Sequence, residues 1–265
     1  MKKTLLATLC LSAALFASAQ TTTIYSEDFE WIAPWAEAGN AGNTIGTNNQ
    51  EANSPQLRNC TVDGVNLRQA LESRGYVLAT SSNDNSLYAN ANYLKFGKTK
   101  VQGSISIPAF TAYKEGTTDL KLTFDWSSQR QGNGNWDATE LVVIVKNGDA
   151  EELVHTDKWS AEKNAAFAWR KAEVALPATL TYDKETRIVI RTSDAQWGDS
   201  HAFRFFLDNI ALTGNTDGTD GIDNIASEEN GAVEYFNLQG VRVDNPTSGL
   251  YITRQGNKVA KVLVK

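Results

Sequence analysis

The sequence predicts an all-β domain, because it contains repeated strand patterns and little that resembles a helix. Apolar residues alternate with polar ones, or run in short bursts, at residues 120–126, 141–145, 187–191 and 203–212. Polar clusters, such as those at 127–135 and 193–200, separate these segments. Many short strands with little helix are typical of a β-sandwich or a β-barrel.

The segment 38–92 is less regular than the rest of the predicted domain. It is crowded with Asn, Ser and Gly, which favour turns and loops. A short helical pattern at residues 65–74 interrupts this composition. We therefore expect a loop region decorated by one short helix.

The first nineteen residues predict a secretory signal peptide. Lys2 and Lys3 precede an apolar run at 5–16, and the small residues Ala-Ser-Ala at 17–19 follow, which places cleavage after Ala19. The run is shorter than the about 20 residues needed to cross a bilayer, and no later segment is long and apolar enough to do so. We expect a soluble protein that is secreted or held on the outer cell surface.

Charge and cysteine content exclude several classes of protein. The chain has a formal net charge of -6, and loss of the two lysines with the signal peptide would make it more acidic. Nucleic-acid binding and binding to an anionic membrane are disfavoured, since both need clustered Lys and Arg. Removal of the signal peptide leaves Cys60 as the one cysteine, so no intramolecular disulfide is expected.

Composition divides the mature chain into a large domain, a linker and a tail. Residues 215–231 are rich in Gly, Asp and Asn and have few large apolar groups, so they cannot pack a core. The predicted boundaries are a signal peptide at 1–19, a domain at 20–214, a linker at 215–231 and a C-terminal segment at 232–265. Three short strands broken by Gly and Pro turns are expected in that last segment.

The C-terminal segment resembles the sorting domain of the Bacteroidetes type IX secretion system. The resemblance lies in YFNLQGVRV at 235–243, SGLYI at 248–252 and KVAKVLVK at 258–265. It implies that the tail engages secretion machinery in the outer membrane. The alternative is an ordinary terminal hairpin.

The large domain resembles the jelly-roll β-sandwiches of the choice-of-anchor and cleaved-adhesin group, which are themselves similar to carbohydrate-binding modules. The matching words are SEDFE at 26–30, YLKF at 93–96, ISIP at 105–108, LTFDW at 122–126 and FLDNI at 206–210. The resemblance implies a jelly roll and, as partners, a glycan or a host or matrix surface.

The same resemblance implies a structural calcium ion. In such sandwiches a Glu after the first strand and an Asp in the last strand often share Ca²⁺, and here these residues are Glu30 and Asp208, with Asp28 as a further candidate ligand. Carboxylates are the hard oxygen ligands that Ca²⁺ prefers. The alternative is that these carboxylates bond to backbone amides.

Two tryptophans lie in polar loops and suggest a ligand site. If the four predicted strands alternate in direction, the loops holding Trp136 and Trp197 lie at the same end of the domain. Exposed aromatic rings beside polar side chains are typical of sugar-binding sites. The predicted polar contacts are Arg130, Asn133, Asp137, Asp199 and His201. The alternative is that both rings fold inward as packing, as the alternation of residues 120–126 predicts for Trp126.

No residue set in the sequence makes a convincing catalytic centre. Asp137 and Asp199 could face each other as a glycosidase pair, but aspartates in Gly-rich loops are far more often turn formers. We therefore expect a non-catalytic protein, most simply a carbohydrate binder. The alternatives are a surface adhesin or structural protein with buried loop tryptophans and an apolar patch elsewhere, and, least favoured, a glycoside hydrolase.

Overall fold

The computed structural model of the chain describes residues 20–42, 54–82, 86–194, 203–216, 233–237, 240–255 and 258–264. The chain divides into two compact units, one ending just after residue 216 and the other in the C-terminal part. The predicted signal peptide and nearly all of the predicted linker lie outside the described residues. In the described ranges, no helix has the length and apolar character that a membrane crossing requires.

The first unit is built almost entirely from β-strands. Its strands, in chain order, are β1 (Gln20–Glu27), β2 (Thr61–Val62), β3 (Val65–Asn66), β4 (Val77–Thr80), β5 (Leu87–Ala89), β6 (Leu94–Phe96), β7 (Gly103–Ile107), β8 (Thr118–Ser128), β9 (Thr139–Asn147), β10 (Ala150–Trp159), β11 (Arg170–Ala175), β12 (Arg187–Thr192) and β13 (Phe205–Thr216). Its helices are α1 (Ala33–Ala38) and α2 (Leu67–Ser73).

Two antiparallel sheets form the sandwich. One has the order β11-β8-β13-β6-β5, with β1 also paired to β13, and the other has the order β10-β9-β12-β7-β4. The long strand pairs β8–β13 and β9–β12 lie in the middle of the two sheets. The prediction of an all-β jelly-roll sandwich is confirmed.

The core lies between the two sheets and follows the alternation of side chains along each strand. In β8 the inward residues Leu120, Leu122, Phe124 and Trp126 are all buried, so the predicted core position of Trp126 is confirmed. The Trp126 indole N–H also donates to Asp157 at 3.0 Å, which satisfies its one polar atom.

The predicted short helix is present as α2, and its start is set by a capping box. The Asn66 side chain accepts from the Gln69 backbone N–H at 3.0 Å, and the Gln69 side chain accepts from the Asn66 N–H at 3.1 Å. The expectation of loop for the rest of segment 38–92 is wrong in part, because β4 and β5 are strands of the main sheets. They have only three or four residues each, too few for a clear alternation.

The second unit contains one small antiparallel sheet. Its strands are β14 (Glu234–Phe236), β15 (Gly249–Gln255) and β16 (Lys258–Val264), in the order β14-β15-β16. None of the side chains described in this unit is buried, and Leu250 and Leu263 are exposed. The sheet therefore has little core of its own.

Candidate functional site

The two loops predicted to carry the ligand site do begin at the same end of the sandwich. The hairpin at 129–137 follows β8, and Arg204, just before β13, reaches back to it. Ser193, just after β12, donates its backbone N–H to Glu140 at 2.8 Å. Of the predicted site residues, Trp197, Asp199 and His201 lie outside the described residues.

Asp137 is a structural residue, and its prediction as a ligand contact is wrong. It is fully buried, and both of its carboxylate oxygens accept from the Arg204 guanidinium, at 2.6 and 2.8 Å. Gln131 donates to the same carboxylate at 2.9 Å. With both oxygens engaged, this carboxylate cannot serve in a glycosidase pair either.

Trp136 is also buried, with an exposed fraction of 5%, so its prediction as an exposed stacking platform is wrong. Its ring packs edge-on against Trp159, with centroids 4.8 Å apart. When the Trp136 ring packs against other aromatic rings, more of its apolar surface is removed from water than when it projects from the loop into solvent. Beside it, Arg130 is half-buried and Asn133 is exposed, its side-chain oxygen accepting from the Asn135 N–H at 3.0 Å.

The predicted calcium ligands lie around a bulge in β13. Burial, together with the negative charges of Asp125, Glu30 and Asp28, raises the pKa of Asp208 to about 6. Asp28 accepts from the Glu30 N–H at 3.1 Å. Across the described ranges, no three His, Cys, Asp or Glu side chains form a group that could hold a metal ion. Calcium at Glu30, Asp208 and Asp28 stays a prediction.

A cleft of about 860 Å³ opens at the other end of the sandwich. It lies where β8 begins and β11 ends, between the loops at 108–117 and 176–186. We call it the tyrosine cleft, after Tyr113 and Tyr182 in its wall. Its further lining residues are Glu115, Thr117, Thr118, Asp119, Leu120, Lys121, Ala175, Leu176, Ala178, Leu180, Thr181, Asp183 and Lys184.

The two tyrosine rings are held in place by the core but remain partly exposed. Tyr182 stacks on the buried Phe110, with centroids 5.2 Å apart and planes 5° apart, and donates its hydroxyl to the Pro177 carbonyl at 2.8 Å. Tyr113 meets Phe110 edge-on at 5.8 Å. Burial and the neighbouring Tyr113 raise the pKa of Tyr182 to about 12. The Tyr182 hydroxyl therefore stays protonated at neutral pH.

The charged side chains around the tyrosine cleft include both signs, and most of them already form an ion pair or a hydrogen bond within the protein. Lys121 forms an ion pair with Glu173, and Asp119 accepts from Asn215 at 2.8 Å. Asp183 accepts from the N–H of Thr186 at 2.8 Å, which shapes the loop. The cleft thus offers apolar and aromatic wall with a few polar groups and no dominant charge.

The sequence contained a signal for this cleft, but a weak one. Tyr113 and Tyr182 are single aromatics in polar loops, as Trp136 is. The larger ring of a tryptophan is the stronger indicator of stacking on a sugar, so the sequence favours Trp136 over the two tyrosines. Which loop aromatic turns inward depends on tertiary contacts that local sequence does not fix.

No protein-family model matches this chain, and no curated protein matches it either. Solved structures with a similar chain path include the K1 cleaved adhesin domain of Lys-gingipain from Porphyromonas gingivalis W83. It is 13% identical, with 52% of this chain and 89% of that chain covered and a TM-score of 0.35.

Two carbohydrate-binding modules are similar at the same level. A mannan-recognising module, TmCBM27, is 12% identical, with 75% of this chain and 100% of that chain covered and a TM-score of 0.34. The CBM22-2 xylan-binding domain of Xyn10C from Paenibacillus barcinonensis is 12% identical, with 72% and 99% covered and a TM-score of 0.33. These similarities are too distant to support a functional conclusion.

Proposed function

We propose that this chain is a secreted or cell-surface, non-catalytic binding protein whose sandwich binds a carbohydrate in the tyrosine cleft. The observation that carries the proposal is the pairing of two partly exposed tyrosine rings in a cleft of about 860 Å³. Small-molecule sites typically have volumes of roughly 300–1,000 Å³, with an apolar wall and few polar groups.

The chemistry of the tyrosine cleft suits a sugar better than a charged or wholly apolar ligand. The C–H face of a sugar ring packs on an aromatic ring, and its hydroxyls need donors and acceptors. Thr181 and Lys184 supply exposed polar groups beside the rings. Because acidic and basic side chains are mixed around the cleft, a neutral saccharide fits best.

A surface adhesin is the second candidate, and one observation favours it. On the outer face of the five-stranded sheet, Leu153, Ile144, Val189, Ser106 and Val77 form one cross-strand row. Leu153 and Val77 are more than half exposed. Four of the five side chains are apolar, and Ile144 and Ser106 within the row are buried. The exposed residues at its two ends offer apolar contacts of the kind found at protein-binding surfaces.

The export route is part of the same proposal. A signal peptide at 1–19 would take the chain across the inner membrane, and the three-stranded C-terminal unit would act as the sorting segment for type IX secretion. The exposed, coreless sheet of that unit supports a role in recognition better than a role in stability. Deleting 233–265 should retain the protein inside the cell envelope in a host that has this apparatus.

Binding in the tyrosine cleft is tested by a glycan array of neutral polysaccharides with the purified chain. Tyr113→Ala should lower the affinity for the bound polysaccharide about tenfold, which corresponds to about 1.4 kcal/mol. Tyr113 is the better first target because Tyr182 also packs on Phe110 and its loss would disturb the fold.

The matched control is Tyr88→Ala, which removes another partly exposed tyrosine, from β5. Loss of binding in both variants, or in neither, would contradict the cleft as the site. Binding to no glycan at all would favour the adhesin, and Leu153→Asp in a protein-binding screen would then test the apolar row.

A further inference from the structure

Three N–H groups near the hairpin at 129–137 have no hydrogen-bond acceptor. They are the indole Nε1 of Trp136, the Nε of Arg130 and the Nε of Arg170, and each atom is buried. One acceptor of the same hairpin, the side-chain oxygen of Gln129, is also buried without a partner. An unpaired buried donor is unfavourable, because it has lost water and gained no partner. Such groups are rare in folded proteins, and several together indicate a missing partner.

The geometry of the hairpin places two of these donors on one side. Arg130 and Trp136 are directly paired across an isolated antiparallel bridge. Paired residues point their side chains to the same face, with Cβ atoms about 5 Å apart. The neighbouring residues Gln131 and Asp137 point to the opposite face, where Arg204 closes the buried ion pair.

The third donor belongs to a residue that lies beside the same aromatic ring as Trp136. Trp159 packs against Trp136 at 4.8 Å, and the Arg170 guanidinium carbon lies 5.8 Å from the Trp159 ring centroid. Both Arg130 and Trp159 are partly exposed. The three donor atoms themselves are buried, so a ligand group has to enter between these side chains to reach them.

Two carboxylates of the protein lie nearby, and both already accept hydrogen bonds from other side chains. Asp137 is held by Arg204 on the far face. Asp157 accepts from Trp126 at 3.0 Å and from a terminal nitrogen of Arg170 at 3.5 Å, which leaves the Arg170 Nε unpaired. In the described part of the chain, Arg130 forms no ion pair, so its charge has no internal counterion.

We infer that this side of the hairpin is a second ligand site, which takes an anionic group of an acidic saccharide. Two guanidinium Nε groups and one indole N–H donate only, so the complementary ligand group is an oxygen acceptor. Arg170 already pairs with Asp157, so it is the charge of Arg130 that selects an anion. A uronate carboxylate and a sulfate ester share this chemistry. The site lies at the opposite end of the sandwich from the tyrosine cleft and does not depend on it.

The test measures binding of the full chain to charged and neutral forms of the same polymers. Dextran sulfate is compared with dextran, and polygalacturonate with its methyl ester, by affinity electrophoresis and calorimetry. Binding of a charged polymer without its neutral form is expected, and the pair that binds distinguishes sulfate from carboxylate. Equal binding of charged and neutral forms would overturn the inference.

Arg130→Gln should weaken binding of the charged polymer at least tenfold. Arg58→Gln is the matched control, because it removes the same charge from an exposed arginine, whose Nε donates to the Gln56 side chain at 2.8 Å. An equal loss in both variants would reveal general charge attraction and overturn the site. Affinity for a neutral glycan should be the same in Arg130→Gln and the parent chain.

A second measurement does not depend on folding of an arginine variant. The indole N–H resonance of Trp136, identified by its absence in Trp136→Phe, should move downfield when an acidic oligosaccharide binds, because the N–H gains an acceptor. The other indole resonances should move less. A Trp136 resonance that stays fixed while the oligosaccharide binds would contradict the inference.

Discussion

The Asp137 carboxylate lies fully buried beneath the hairpin, and the Arg204 guanidinium holds it through two hydrogen bonds, at 2.6 and 2.8 Å. This pair ties the loop after β8 to the start of β13. Removal of one member leaves the other charge without a partner in a poorly hydrated position. Asp137→Ala should therefore lower the free energy of unfolding by about 3 kcal/mol, as measured by urea denaturation.

The double variant Asp137→Ala/Arg204→Met tests whether the two charges of the pair are energetically coupled. It should lose less stability than the two single changes together, because no charge is left unpaired. Additive losses would show that the pair is not coupled. Glycan binding should survive in any variant that remains folded, since Asp137 faces the protein interior.

Asp208 should make the stability of the sandwich depend on pH. Its pKa is raised to about 6, whereas an unfolded Asp titrates near about 4. Between these values the folded chain binds a proton that the unfolded chain has lost, so the contribution is complete below about pH 4 and decreases as the pH rises through 6. Asp208→Asn should remove this decrease and unfold at higher urea than the parent chain at pH 7.

The control for this pH effect is Asp149→Asn, an exposed aspartate in the turn between β9 and β10. Its urea midpoints should run parallel to those of the parent chain from pH 4 to 7. Parallel curves for Asp208→Asn would contradict the prediction. A calcium-dependent gain in the urea midpoint at pH 7 that Asp208→Asn abolishes would support the calcium site that the sequence predicts.

Gly97 should tolerate no side chain. It has a φ of +79°, and a Cβ built there would lie 1.6 Å from the Phe203 carbonyl oxygen. Gly97→Ala must displace backbone as well as adopt a strained conformation, so a loss of about 3 kcal/mol or more is expected. Gly64→Ala has a similar φ of +81° and open space around it, so it should lose only about 1 kcal/mol.

Thermal or urea unfolding of the two glycine variants checks this difference. Equal losses in the free energy of unfolding would show that the backbones of residues 97 and 203 lie far enough apart to accept a Cβ.

The capping box of α2 should contribute measurably to stability. Asn66→Ala removes the acceptor for the Gln69 N–H, and an N-cap change of this kind costs about 1 kcal/mol. Asn66→Asp, which keeps the acceptor, should cost little. A free energy of unfolding that is unchanged in Asn66→Ala would contradict the capping role.

Much of the fold could be predicted from local pattern. The alternation along β8 identified the inward side of that strand, including Trp126, because side chains alternate wherever one sheet face packs on a core. The helix at 67–73 was also predictable from its pattern. The short strands β4 and β5 were not, since three or four residues carry too little periodicity.

The candidate site was harder to predict, because it depends on which side chains meet. The sequence alone determined the sandwich class, the acidic balance and the loops that share one end of the sandwich. Only the tertiary structure decided that Trp136 turns in against Trp159, that Asp137 is neutralised by Arg204, and that Tyr113 and Tyr182 line a cleft. The reason is physical: the burial of a loop aromatic and the pairing of a charge are set by partners distant in the chain.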